Sequence, residues 1–199
     1  MVAQKNLCVL ILAAGKGTRM KSPLPKPLHA VCGFPIISYI LKAAQALNPA
    51  AIGVVVGHEA AQVMDTVKAG MASWGVTAPV VFVPQTDLTG SGSAVKAALP
   101  LLQKFDEVLI LNGDVPLLRA QTLENLLAGA AKEPCGAVVM GVTVPNPAGY
   151  GRIVRDGKGV FEAIVEDADA DEETKKITEI NSGMYWFKSK FLQAARQRI

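Results

Sequence analysis

Gly15-Lys16-Gly17-Thr18-Arg19-Met20 sets two glycines and two cations on six consecutive positions, directly after the apolar run Leu7–Leu12 and the pair Ala13-Ala14. A further cation, Lys26, follows within Pro23-Leu24-Pro25-Lys26-Pro27, a segment stiffened by three prolines. A buried strand that ends in a Gly-rich basic loop can hold a phosphate. Glycine lets backbone N–H groups approach the oxygens, and the cations offset their charge. The plain alternative is an ordinary strand-to-helix turn, which needs neither Arg19 nor Lys26. A dinucleotide fingerprint requires a third glycine where Met20 stands, and G-x-x-x-x-G-K-[ST] is absent; hydride transfer and P-loop ATP hydrolysis are therefore disfavoured.

Asp114 sits in Asn112-Gly113-Asp114-Val115-Pro116, after another apolar run. A lone carboxylate there suits Mg²⁺, which takes one or two protein oxygens and completes its sphere with phosphate and water. The alternative is a turn aspartate bonded to its own backbone. Gln85 carries an amide that can donate and accept, the pairing a pyrimidine edge demands. Gly90-Ser91-Gly92 can present backbone donors at a helix start. Taken alone, that loop reads equally as a helix cap beside a surface glutamine. Glu166 and Asn181, with Gly149-Tyr150-Gly151-Arg152 ahead of them, could bind sugar hydroxyls and an acetamido group; the alternative is a set of polar loop residues.

Other signals fall away. His58-Glu59 opens like the zinc pattern H-E-x-x-H, but Gln62 occupies the second His position. With two His in the chain, a histidine metal site is not credible, and no G-x-S-x-G nucleophile motif occurs. The 199 residues, 50% apolar and 19% charged, describe a globular chain. A net charge of +3 with mixed signs does not imply nucleic-acid binding. Three cysteines, Cys8, Cys32 and Cys135, lack C-x-x-C spacing and read as reduced thiols in the cytoplasm. No stretch approaches the ~18 apolar residues of a membrane span.

The elements that must position these residues follow from periodicity. Apolar runs at 7–12, 52–56, 80–83 and 108–111 read as strands. Helical spacing follows each, through Ile36–Leu47, Ala60–Met71, Ala94–Leu102 and Leu123–Ala130. Nearly all-apolar strands alternating with helices imply a Rossmann-like, mainly parallel α/β sheet buried on both faces, with helices on both sides. Ligands bind beyond the carboxyl ends of such strands, where the Gly15 loop, the Gln85 loop and Asp114 fall. The remainder predicts a small β-rich lobe: a strand at 137–144, a hairpin about Arg155–Gly159, and strands at 177–180 and 184–187 flanking Asn181-Ser182-Gly183. A last amphipathic helix begins near Phe191. The expected division is an α/β nucleotide-binding core over 1–134 and a β-rich sugar-binding lobe over 135–199, with the final helix broken off mid-pattern as in a fragment of a longer protein.

Leu12 to Met20 with Leu24-Pro25-Lys26 resembles the signature of sugar-phosphate nucleotidyltransferases, and Leu111 to Pro116 resembles their metal motif. Tyr150-Gly151-Arg152-Ile153, Ile164-Val165-Glu166 and Glu179-Ile180-Asn181-Ser182-Gly183 narrow the resemblance to the uridylyltransferase domains of bifunctional N-acetylglucosamine-1-phosphate uridylyltransferases. The resemblance implies a Mg²⁺-dependent joining of UTP and N-acetylglucosamine 1-phosphate. It implies nucleotide contacts from Leu12, Ala13, Ala14, Gly15, Gln85, Gly90 and Ser91, charge neutralisation by Arg19 and Lys26, metal binding by Asp114, and sugar contacts from Gly151, Glu166 and Asn181. Ser91 and Ser93 stand where the family more often has Thr and His. The family's domain continues beyond this stretch, where an Asn supplies a second metal ligand, and its β-helical acetyltransferase domain is absent from this sequence; oligomeric state is left open. The competing expectations are a transferase for another sugar or alcohol phosphate, and a nucleotide-sugar binder without catalysis.

Overall fold

The computed structural model describes residues 6–17, 20–132 and 135–195. The chain divides into two compact units, Met1–Val138 with Trp186–Ile199, and Val139–Tyr185.

In the first unit, β1 (Leu7–Leu12) leads through a 3-10 turn at Lys26–Leu28 and a small hairpin, β2 (Ala30–Val31) and β3 (Phe34–Pro35), into α1 (Ile36–Gln45). Then come β4 (Ala51–Val56), α2 (Ala60–Gly70), β5 (Val80–Pro84), α3 (Ser91–Leu102), β6 (Glu107–Asn112) and α4 (Ala120–Lys132). The strand order is β5-β4-β1-β6, with β1 parallel to both neighbours and β4 parallel to β5. The chain thus steps outward from β1 through β4 to β5, then returns across β1 to β6. Right-handed crossovers put α1 and α2 on one face and α3, running back, on the other. The contacts agree: α1 packs on α2 and α4, and α3 packs on β1, β4 and β5.

Cys8, Val9, Leu10 and Ile11 in β1, Ile52, Val54, Val55 and Val56 in β4, and Leu109 and Leu111 in β6 are fully buried. Each such aliphatic side chain removed from water contributes roughly 1.5–3 kcal/mol. Burial also pushes the Cys8 thiol up to about 12, against a weaker opposing hydrogen bond from the Gly53 backbone. The expectation of strands covered on both faces holds for β1 and β4 but not for β5. That strand ends the order, and Val81 is 38% exposed there.

In the second unit, β7 (Ala137–Thr143) pairs with β10 (Glu179–Lys188), which pairs with β8 (Arg152–Arg155), which pairs antiparallel with β9 (Phe161–Val165). A short α5 (Glu172–Lys175) precedes β10. The sequence reading broke the last strand around Asn181-Ser182-Gly183, residues poor in strand propensity. The structure runs one strand through them, because Asn181 N donates to Gly151 O at 2.8 Å and Ile180 pairs with Arg152. The final helix, α6 (Ser189–Ala195), returns to the first unit and packs on α3.

Candidate functional site

β1 and β6 end in register, Leu12 beside Asn112, at the point where the strand order reverses. Crossovers on either side of that point leave on opposite faces, so a crevice opens there. Backbone bonds fix its rim: Gly113 N to Leu12 O at 2.9 Å, Ala13 N to Val55 O at 2.9 Å, and His58 N to Ala14 O at 3.2 Å. Two cavities lie along the crevice. One, about 280 Å³, is lined by Leu12, Ala14, Gly15, Gln85, Leu88, Gly90, Ser91, Ala94 and Asn112. The other, about 310 Å³, is lined by Leu12, Ala13, Gly15, Gly17, Lys26, Pro27, Asn112, Gly113 and Asp114. Shared walls at Leu12, Gly15 and Asn112 make them two ends of one groove.

The charged end is built by close approach. Gly17 has φ +60°, and a Cβ placed on it would stand 2.9 Å from Lys26 Cβ. Only glycine lets the Pro-rich segment fold back that tightly. Lys26 Nζ then donates to Asp114 Oδ2 at 2.6 Å, with both side chains about one-third exposed (34% and 36%). Among the described residues no group of three or more His, Cys, Asp or Glu could cage a metal. A single carboxylate that already seats one cation fits Mg²⁺, which leaves most of its sphere to phosphate and water. Arg19 lies outside the described residues.

The other end carries an amide. Gln85 N is held to Val56 O at 2.8 Å, and its side chain is buried. Nε2 donates to Asp87 O at 2.7 Å, Ser93 Oγ at 2.7 Å and Gly90 O at 3.2 Å. The sequence reading gave this amide both a donating and an accepting role toward a ligand; the structure commits its donors to the loop. Gly90, at φ +146°, starts α3, whose first turn borders the cavity.

The second unit gathers the remaining expected residues. A Cβ built on Gly151 would lie 3.1 Å from Glu166 Oε1, so the two are adjacent. Asn181 Nδ2 donates to Tyr185 Oη at 2.7 Å, and Asn181 Oδ1 accepts from Gly183 N at 3.0 Å. Burial raises the Tyr185 phenol above its ordinary value; the Asn181 bond opposes this and the Glu166 charge adds to it. Glu166, Tyr185 and Asn181 therefore form one polar cluster beside Gly151. Behind it Arg152, 2% exposed, donates through Nη2 to Asp167 Oδ1 at 2.7 Å and through Nη1 to Tyr150 O. The Arg152 bond holds the Asp167 carboxyl below the usual carboxylate range.

Sequence reasoning missed Tyr185, Leu88 and Asn112. A tyrosine inside an apolar strand reads as core, and nothing local marks a leucine as a cavity wall. Asn112 stood in a quoted motif but was given no role of its own.

A family model described as the MobA-like NTP transferase domain matches residues 9–178. The bifunctional protein GlmU of Neisseria meningitidis serogroup B is 48% identical over 182 residues, which is 91% of this chain and 37% of that protein. GlmU of Alkalilimnicola ehrlichii is 41% identical over 196 residues, 98% of this chain and 40% of that protein. The chain thus spans well under half the length of these relatives. Among solved structures, UDP-glucose pyrophosphorylase complexed with UDP-glucose superposes with a TM-score of 0.72 at 18% identity, covering 97% of this chain and 80% of the other. HddC from Yersinia pseudotuberculosis superposes with a TM-score of 0.70 at 23% identity, covering 94% and 79%. Identities this low show a shared fold.

Proposed function

Because this chain belongs to the MobA-like NTP transferase domain family, we propose that it joins UTP to N-acetylglucosamine 1-phosphate, forming UDP-N-acetylglucosamine and releasing pyrophosphate. The observation that carries the reading is the single groove with an amide at one end and the Lys26–Asp114 pair at the other. A base and a triphosphate need those two environments. The similarity to GlmU over 91% of the chain supports the choice of substrates.

In this reading a phosphate oxygen of the sugar phosphate attacks the α-phosphorus in line. The bond from the α-phosphorus to the bridging oxygen breaks, and pyrophosphate departs with the electron pair. The nucleophile is already anionic, so no catalytic base is required. Alignment and charge stabilisation carry the rate. Ala13, Ala14 and Gly15 hold the nucleotide through backbone groups, Gln85 and Gly90 face the base, and Ser91 stands at the start of α3. Lys26, together with Arg19, offsets triphosphate charge. Gly151, Glu166 and Asn181 hold the sugar. Asp114 would hold Mg²⁺, which when bound supplies further charge neutralisation at the phosphate oxygens. The substrates are small molecules; neither nucleic acid nor membrane belongs to this reading, and no described helix is long and apolar enough to cross a bilayer. Three free cysteines, one of them exposed, favour the reducing cytoplasm.

The test is pyrophosphate release from four nucleoside triphosphates against a panel of sugar and alcohol phosphates. UTP with N-acetylglucosamine 1-phosphate is expected to lead. A different leading pair would assign another member of the transferase family. Binding of UDP-N-acetylglucosamine without turnover, persisting after addition of the C-terminal sequence found in the relatives, would make the chain a binder.

A further inference from the structure

We propose that Ser93 is a positioning residue that steadies the Gln85 amide in the orientation its backbone partners select, and so sharpens the preference for a base whose ring nitrogen carries a proton. The proposal deepens the nucleotide reading above and rests on it.

The amide nitrogen of Gln85 has two N–H groups and three acceptors within reach. Two are backbone carbonyls, Asp87 O and Gly90 O, which can only accept; they exclude a flipped amide, since that would set oxygen against oxygen. The third is Ser93 Oγ. Its own proton is directed to the same carbonyls, at 2.8 Å from Asp87 O and 3.0 Å from Gly90 O. Toward Gln85 the hydroxyl is therefore an acceptor. The two short contacts of Nε2, 2.7 Å each, go to Asp87 O and Ser93 Oγ, while the contact to Gly90 O is 3.2 Å. Remove the hydroxyl and one N–H is left with the long contact alone. Both carbonyls also lose one of their donors, since Ser93 Oγ bonds each of them beside Gln85 Nε2.

Among the described residues no donor reaches Gln85 Oε1. The side chain lines the cavity, so this oxygen is what the amide offers a ligand. An acceptor so placed matches the N3–H of uracil. It opposes cytosine, whose N3 is itself an acceptor. A site built to hydrogen-bond one partner rejects the analogue because its own polar atom is left unpaired. Ser93 reaches the base only through Gln85.

The experiment measures kcat/KM for UTP and for CTP with the 199-residue chain, its Ser93→Ala variant and its Ser93→Thr variant. Ser93→Ala is expected to shrink the UTP-over-CTP ratio about tenfold. The change should lie mainly in KM for UTP, with KM for the sugar phosphate unmoved. Ser93→Thr, which keeps the hydroxyl, should restore the ratio. If Ser93→Ala loses its fold by circular dichroism, Ser93→Cys, close in volume and weaker as an acceptor, is expected to give a partial loss of the ratio. If the chain does not turn over, the same ratios are read from UTP and CTP binding in equilibrium dialysis. An unchanged ratio, or parallel losses for UTP and CTP, would overturn the role of Ser93 alone. An unmodified chain that prefers neither nucleotide would overturn the nucleotide reading with it.

Discussion

Lys26 Nζ and Asp114 Oδ2, 88 positions apart in sequence, meet at 2.6 Å where β1 and β6 end. The pair closes the charged end of the groove, and it shows Asp114 as a seat for a cation. Because both partners are about one-third exposed, water screens the attraction, and its worth to stability is at most about 1 kcal/mol. Asp114→Asn is therefore expected to leave the fold and melting curve nearly unchanged. Turnover should fall by roughly 10²–10³, the usual scale for losing one electrostatic group at a reacting phosphate. Circular dichroism and a Mg²⁺ titration of pyrophosphate release check this; undiminished activity would place the metal elsewhere.

Gly17→Ala forces an L-residue to φ +60° and drives a methyl group to 2.9 Å from Lys26 Cβ. The backbone cost alone is about 1–2 kcal/mol. Urea denaturation should show at least that loss, and the displaced Lys26 should lower turnover further. Equal stability would mean that the loop relaxes to negative φ without consequence.

Tyr185→Phe removes the hydroxyl that accepts from Asn181 Nδ2. With the Asn181 side chain held only by its bond from Gly183 N among the contacts described above, KM for the sugar phosphate should rise about tenfold while kcat changes little, the pattern of a lost ground-state contact. A defect confined to UTP would separate this cluster from the sugar.

The Arg152 bond depresses the Asp167 carboxyl, so its contribution to stability is present above the ordinary carboxylate pKa of about 3.9 and is lost as pH falls through the lowered value. Asp167→Asn should melt earlier than the parent at neutral pH. The gap should close as the solution is acidified, because the protonated aspartic acid then resembles asparagine. Melting temperatures of both proteins across the acid range decide it. A gap that persists in acid would assign the effect to packing.

The alternation of strands and helices was legible because the strand runs are apolar, short and bounded by Gly, Pro or Asn. The groove was legible too, since Gly15 and Asp114 each follow such a run directly. The direction of the Gln85 amide was not. It depends on two backbone carbonyls, Asp87 O and Gly90 O, which only the folded loop brings to the side chain. Asn181 looked like part of a strand break because Asn, Ser and Gly are weak strand formers; pairing to Gly151 overrides that local preference. Arg152 appeared in a quoted motif, yet nothing local shows that a guanidinium will be 2% exposed.

The three thiols should also separate by environment. Cys32 is exposed, Cys135 is intermediate, and Cys8 is enclosed in β1 with its ionisation pushed up to about 12. Maleimide labelling mapped by mass spectrometry should modify Cys32 first and Cys8 only in denaturant. Its raised value also means that Cys8 favours the folded state below the free-thiol pKa of about 8.5 and that this contribution is lost as alkalinity approaches the folded value. Early labelling of Cys8 would show that β1 opens.

β5 ends the row of parallel strands, and among the described residues no strand pairs with its outer flank. Such a border can recruit a foreign strand and seed clumping. Here it is guarded. Pro84 offers no N–H at its last position, and the Lys68 ammonium hovers 5.7 Å above the Phe82 ring. Exchanging Lys68 for a neutral residue would remove a gatekeeper, and the first symptom would be turbidity in concentrated samples rather than any change in chemistry.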